Sequence, residues 1–504
     1  MSSENGMEKG NGVVKEVKED GLTRAKVDFS AMDEETAKMY ILEGRPKLSL
    51  ALPLAIQHIL VMYASNLVPI MVVATAAGVD MATRIIMLQG ALIGAGLATL
   101  INCYPIRITK NFQIGANLPI MMGTSSTFIA PMVAVAAVAV EMGHPNPIGV
   151  ILGGLLVAAL AEVVLGAFYK YLKYFLPPVV LGCSLLSVGM MLIGIGMNNF
   201  GGGNPAGNPD FGSLQNLGVA SLVFIIYVYL QRFGQGIWKM ASALFAMAAG
   251  YLVAIPLGMV NFAPVFETYV IAVPRPFALG LEFYPWAIGM FLAVYVATGL
   301  ATIGYTHTIT SQSMGRMSTN KETSGALFGD VLGTIAALVF NALPNTEFGQ
   351  NSALVAYTKV ISKWVVAIAA VILIIASFFP PIGAVFASMP PAVIGGGILA
   401  VFAFIMTNAM VLIAKDGFSP RKITQLCITF SIGLGFAPPI GAAVPGSTYA
   451  RLVQHLPGWV QFITTDRILL MSVVAIIVNI LFMTKEDFDE IKKSIKSPEK
   501  IEYV

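Results

Sequence analysis

Charge is what this chain has least of. Only 11% of its 504 residues are Asp, Glu, Lys or Arg, whereas 56% are hydrophobic. A water-soluble domain carries about 25% charge, so composition excludes an ordinary soluble globule. The net charge is only +3, which excludes the strongly basic surface that nucleic-acid binding needs. Cysteine is nearly absent: Cys103, Cys183 and Cys427 show no metal or redox spacing, which excludes a disulfide framework and a zinc site. Each falls in or beside an apolar run and reads as a small apolar residue. The four histidines form no His-Glu-x-x-His pattern, and the chain has neither a phosphate loop nor a nucleophile elbow. It reads as no enzyme, with no cofactor and no resident metal.

What is abundant is apolar sequence, with a mean hydropathy of +0.77. A transmembrane helix needs roughly 20 mainly apolar residues, and about fourteen segments approach that length, several of them short or broken. They lie near 48–71, 84–103, 118–138, 147–167, 177–197, 215–231, 236–259, 284–311, 323–343, 348–361, 363–380, 390–413, 422–440 and 466–483. The expected fold class is an all-α integral membrane protein. Residues 1–46 and 484–504 are charged tails, and no short hydrophobic region with a cleavage site precedes the first span.

Loop charges orient the spans. With the N-terminus inside, the cytosolic connections hold Arg107, Lys110, Lys170, Lys173, Arg232, Lys239, Arg316, Lys321, Lys415, Arg421 and Lys422. The outward ones hold Glu141, Asp210, Glu267 with Arg275, and Glu347, leaving Arg451 and Arg467 as exceptions. This asymmetry follows the positive-inside rule and places both termini in the cytoplasm.

Two pairs of strings recur in the same order. Pro177-Pro178-Val179-Val180-Leu181-Gly182 returns as Pro390-Pro391-Ala392-Val393-Ile394-Gly395, and the stretch Gly123–Ala130 returns as Gly349–Ala356. With about seven spans per half, the two copies would have opposite orientations, an inverted repeat. The second pair is polar, small and short for a full span. Each copy is expected to run as an extended stretch in the third and tenth spans, then as a helix of a few turns. Interrupted segments at matching places point to a binding site, and their helix N-termini offer N–H groups and partial positive charge. Gly, Ser and Thr here also suit close helix packing.

The segment Gln350-Asn351-Ser352-Ala353-Leu354-Val355-Ala356-Tyr357-Thr358-Lys359 resembles the signature of the nucleobase–ascorbate transporter family. That signature runs Gln, Glu or Pro; Asn; any residue; Gly; four residues; Thr; then Arg, Lys or Gly. Gln350, Asn351, Thr358 and Lys359 match, and Ala353 stands where the family usually has Gly. Gln57-His58 resembles the family's first-span Gln-His motif, Gly123–Pro131 its third span, and Gly325–Asp330 its ninth. The resemblance covers residues 40–485 and implies two inverted seven-span repeats split into a core and a gate domain. By that likeness residues 47–167 and 284–380 form the core, and 168–260 and 381–483 the gate, which commonly makes a homodimer. It also implies a plasma-membrane carrier of a purine or pyrimidine base, driven by protons or sodium.

One departure is serious. The family's eighth span usually reads Glu-Thr-Ile-Gly-Asp, whereas here it is Ala301-Thr302-Ile303-Gly304-Tyr305. Alanine can neither accept a hydrogen bond from a base nor carry a proton. Tyr305 lies one turn beyond Ala301 on the same face and can reach the pocket. The remaining titratable core groups are His58 and Asp330; His58 also suits a neutral role bonded to a carbonyl. Glu162 reads as interfacial, and Thr298 and Thr302 as bonding back to their own helix.

Gln350 carries the sharpest expectation. Its amide both donates and accepts, so it can pair with an N–H beside a C=O, as in xanthine or urate. Expected substrate neighbours are Gln350, Asn351, Tyr305, Phe128, Ser126, Gly349, Ala353 and Ala301, with Phe348 as a second stacking candidate. Expected coupling and support residues are His58, Gln57, Asp330, Thr358 and Lys359. A uracil carrier, or an anion or uncoupled carrier on the same fold, remains open.

Overall fold

The computed structural model describes residues 23–489, apart from 28, 30–31, 110–111, 173–176, 204–208, 416, 437–454, 456–463, 465–466 and 486–488. The topology markers Lys110, Lys173 and Arg451 lie outside the described residues, as does much of the two expected tails.

Helices dominate. In chain order come α1 (Leu48–Ala76), α2 (Met81–Cys103), the strands β1 (Ile106–Arg107), β2 (Gln113–Ile114) and β3 (Met122–Thr124), and then α3 (Ile129–Glu141). There follow α4 (Pro147–Ala158), α5 (Leu160–Leu172), α6 (Pro178–Phe200), α7 (Leu214–Phe233), α8 (Ser242–Ala254), α9 (Pro285–Ile309) and α10 (Asn320–Val339). The last are β4 (Asn345–Glu347), α11 (Gly349–Thr358), α12 (Lys363–Ser377), α13 (Pro380–Ala387), α14 (Pro391–Lys415), α15 (Pro420–Gly435) and α16 (Arg467–Leu481). Backbone groups in hydrocarbon must be satisfied within the segment, and a helix does this locally.

Polar residues mark where the helices begin. Asp80 accepts the Thr83 N–H at the start of α2, and Asn146 accepts the Gly149 N–H at the start of α4, each at 3.0 Å. Thr319 and Glu322 form a reciprocal capping box at the start of α10. Glu322 also holds Arg316 through two short bonds of 2.6 and 2.8 Å. Arg316, read above as a loop charge, is therefore a buried, paired cation.

Among the described residues six stretches are long and apolar enough to cross a membrane: α1, α2, α4 with α5, α7, α9 and α10. The pair α12 and α13, bent by 83°, makes a seventh. Other expected spans are cut short: α8 has 13 residues and α11 has 10. Pro380, at the start of α13, lacks the N–H that would continue α12, which accounts for the bend.

One large apolar cluster forms most of the core, with smaller clusters beside it. Met62, Leu67 and Ile70 of α1 meet Met87, Leu88 and Leu92 of α2 and Phe291 and Tyr295 of α9. Elsewhere large apolar side chains face outward, among them Leu214, Ile225, Tyr229 and Phe233 of α7. A soluble monomer rarely shows such a band; lipid is its natural surrounding. The two Pro-Pro strings open α6 and α14, which pack along one another.

Candidate functional site at the crossed strands

The two interrupted segments meet. β3 pairs antiparallel with β4 in the register Met122↔Glu347, Gly123↔Thr346 and Thr124↔Asn345. A two-stranded ribbon inside a helical membrane protein leaves its outer edges needing partners, and neighbouring helices supply them. Asn66 of α1 accepts the Thr124 N–H at 2.7 Å, and Thr99 of α2 accepts the Met122 N–H at 2.9 Å. On the far edge Thr334 of α10 takes the Asn345 N–H at 3.2 Å and donates to the Asn345 carbonyl at 3.1 Å. Gly123 is required here, because a Cβ would overlap the Phe348 ring and crowd Asn66.

Each strand leads into a helix whose first turn has no side-chain cap. After β3 comes a single 3-10 turn, Ser126–Phe128, and then α3; after β4 comes α11. Between these ends opens a small cavity of about 60 Å³. Its walls are Thr124, Ser125, Ser126 and Thr127 from the first segment and Thr346, Glu347, Phe348, Gly349 and Gln350 from the second. Thr298, Ala301, Thr302 and Tyr305 of α9 close the third side.

Sequence reasoning placed Ser126, Ala301, Tyr305, Gly349 and Gln350 at the substrate, and all five line this cavity, as does Phe348. The Tyr305 ring lies on the Gly349 backbone, where a Cβ would come within 2.6 Å of ring carbons. Gly349 therefore sets how closely Tyr305 approaches Gln350.

Other expected residues stand elsewhere. The Phe128 ring is buried edge-on against Tyr295, with centroids 4.5 Å apart, and is not in the cavity wall. Ala353 is exposed on the opposite side of α11 from the buried Asn351 and Ser352. Asn351 points to α1: its Nδ2 donates to the His58 carbonyl at 2.9 Å and lies 3.0 Å from His58 Nδ1. A carbonyl only accepts, so the amide nitrogen faces His58, whose Nδ1 accepts in turn. Gln57, next to His58 in α1, is half-buried and not in the cavity wall. Thr358 donates to the Leu354 carbonyl at 2.8 Å, capping its own helix, and Lys359 ends α11 with φ 61° and reaches the Gln312 carbonyl.

Three carboxylates are buried around α9. Thr298 Oγ1 donates to Glu162 Oε1 at 2.8 Å, Thr302 to Asp330 Oδ2 at 2.5 Å, and Thr306 to Glu347 Oε2 at 3.1 Å. The four-residue spacing puts these threonines on one helix face. Ser352 adds a second donor to Glu347, at 2.7 Å. Glu162 Oε2 and Asp330 Oδ1 have no partner, and none of the three acids is in an ion pair among the described residues.

Two expectations are corrected here. Glu162 is not interfacial but fully buried, on the same face of α5 as the buried Leu165 and Tyr169 and within reach of Thr298 of α9. Glu347 is not an outward loop acid but a cavity wall, because β4 carries it to β3. Thr298 does bond back to the Val294 and Tyr295 carbonyls, as expected, while also reaching Glu162. The repeated Thr at positions 298, 302 and 306 was the signal for this face.

Comparison with known proteins agrees with this architecture. Residues 50–443 match the model of the xanthine/uracil-type Permease family. The chain is 27% identical over 463 residues to the xanthine permease XanP of Escherichia coli, covering 90% of this chain and 96% of the relative. It is 28% identical to a xanthine permease and to the uric acid permease PucJ of Bacillus subtilis, covering 86% of this chain and 93% and 92% of those relatives. The fold is similar to the transmembrane domain of the cyanobacterial bicarbonate transporter BicA, with a TM-score of 0.53 at 16% identity over 85% of this chain and 97% of that one. It is also similar to the murine Solute Carrier 26 family member A9 anion transporter, with a TM-score of 0.52 at 12% identity over 74% and 64% of the two chains. These relatives are permeases and transporters, not enzymes. A family match across most of the chain decides the matter: this membrane protein belongs to the Permease family of nucleobase–ascorbate transporters.

Proposed function

We propose that this permease carries an oxopurine such as xanthine or urate across the plasma membrane by alternating access, coupled to protons or sodium. The observation that carries the reading is Gln350 in the cavity wall at the uncapped start of α11. Its amide can pair side by side with the N–H and C=O of a lactam, while free backbone N–H groups at the helix ends favour carbonyl oxygens. Phe348 and Tyr305 offer faces for a planar ring. The names of the bacterial relatives support the same substrate class.

In this reading residues 47–167 and 284–380 form the core that holds the base. Residues 168–260 and 381–483 form the gate, which pairs two copies, and both termini lie in the cytoplasm. The core rocks against the gate around the fixed site.

A second reading, an anion carrier, draws on the likeness to bicarbonate and anion transporters and on the alanine at 301. Gln350 in the cavity wall disfavours it, since its amide is matched to the adjacent N–H and C=O of a lactam rather than to a bare anion. The deciding experiment is uptake of radiolabelled xanthine into proteoliposomes, with and without an inward proton gradient. Competitors are urate, guanine, adenine, hypoxanthine, uracil and sulfate. Xanthine uptake blocked by urate and not by sulfate is expected; a sulfate-blocked, purine-insensitive flux would establish the anion reading instead.

A further inference from the structure

The acid missing at Ala301 has a counterpart across the cavity. Ala301 and Glu347 line the same space from two different elements, α9 and β4. Glu347 is 97% buried, and both its oxygens already accept hydroxyl bonds, from Ser352 and Thr306. Each carboxylate oxygen has a further lone pair, and the cavity is where those can be used. No cation faces the group among the described residues. The titratable groups around it are Tyr305 from α9 and Asp330 from α10, while His58 of α1 is engaged by Asn351. β3 brings none.

Once a bound ring shuts water out of the cavity, a carboxylate without a cation beside it is tolerated only when something neutralises it. A proton does so and also turns the acid into a donor. An oxopurine presents carbonyl oxygens, which an O–H attracts and a carboxylate repels. Proton and substrate therefore favour each other's binding at this cavity, which is the thermodynamic condition for symport.

We propose that Glu347 is the cavity's proton-carrying acid: it takes up one proton as the oxopurine binds and releases it to the other side with the substrate. The step balances simply, a carboxylate oxygen gaining a proton from water on one face and losing it to water on the other. The inference rests on the oxopurine reading above and adds to it the group that couples the transport.

Glu347→Gln tests it, because a neutral amide keeps a donor but cannot exchange a proton. In proteoliposomes the variant is expected to lose accumulation driven by an inward proton gradient, and its xanthine exchange between equal pools, whatever its rate, no longer responds to pH. Its xanthine affinity becomes flat with pH, where the wild type weakens as pH rises. Glu347→Ala, which loses the donor, is expected to weaken affinity about tenfold or more. A measurement on the wild type alone guards against misfolding of the variants: adding xanthine to the protein in weakly buffered detergent should take up close to one proton per site. Gradient-driven accumulation by Glu347→Gln, or binding without proton uptake, overturns the inference and leaves the oxopurine reading standing. A wild type that binds no oxopurine overturns both.

Discussion

Thr302→Val removes one hydroxyl and keeps the side-chain shape. That hydroxyl is the donor held at 2.5 Å from Asp330 Oδ2, and Asp330 is fully buried with Oδ1 already unpartnered. The valine leaves both oxygens of an inaccessible acid without a donor. The cost of an unsatisfied buried polar group is about 1–3 kcal/mol. Replacing both partners with apolar groups of similar shape is far milder, so Thr302→Val/Asp330→Leu should be more stable than Thr302→Val alone. The double change also removes the acid that faces Glu162. The assay is reversible denaturant unfolding in detergent of the wild type, both single variants and the double variant, read as a coupling energy. A Thr302→Val variant within about 0.5 kcal/mol of wild type, or strictly additive effects, would refute the view that the threonine face of α9 satisfies the buried acids.

Gln350→Ala should lower uptake at subsaturating xanthine roughly 5- to 150-fold, the effect of losing two hydrogen bonds of about 0.5–1.5 kcal/mol each. Normal membrane insertion with wild-type xanthine binding by calorimetry would contradict this. Gly123→Ala forces a methyl into the Phe348 ring; a loss of about 1–3 kcal/mol is expected in thermal unfolding, together with weaker binding, and an unchanged melting profile would count against the crossed-strand packing. Ala301→Glu puts a second acid into the cavity that already holds Glu347. Xanthine affinity should then fall more steeply with rising pH than in the wild type, and an identical pH profile in both would show that the two positions do not share one space.

The sequence made the site's frame readable where polarity broke an apolar run. Gly123–Ala130 and Gly349–Ala356 stood out for that reason, and the strands that precede them cross as their matching positions suggested. Tyr305 was readable because the family resemblance marked Ala301, and helical spacing put Tyr305 one turn beyond it. Glu347 was not, since an acid beside a Pro and an Asn looks like any loop charge until a strand far away in sequence draws it inward. Glu162 was hidden because an acid toward the end of a span reads as interfacial until the helix that covers its face is known. Phe128 misled for the opposite reason: it flanks the right segment, but the turn after Ser126 aims its ring at Tyr295. Span counting fared worst where bends and short helices divide the chain, as at α12 and α13.

The crossing of β3 and β4 also sets when the site can come into being. The paired residues are about 220 positions apart, so β3 emerges on the order of 10–40 s before its partner at ordinary rates of synthesis. During that interval Asn66 and Thr99 hold one edge of β3, and the other edge lies open. A chain stopped before Asn345 would carry an unpaired strand edge at membrane depth, costly in hydrocarbon and adhesive toward other strands. The first half lacks the cavity walls that Thr346–Gln350 supply, and truncated products should be marked for quality control rather than accumulate.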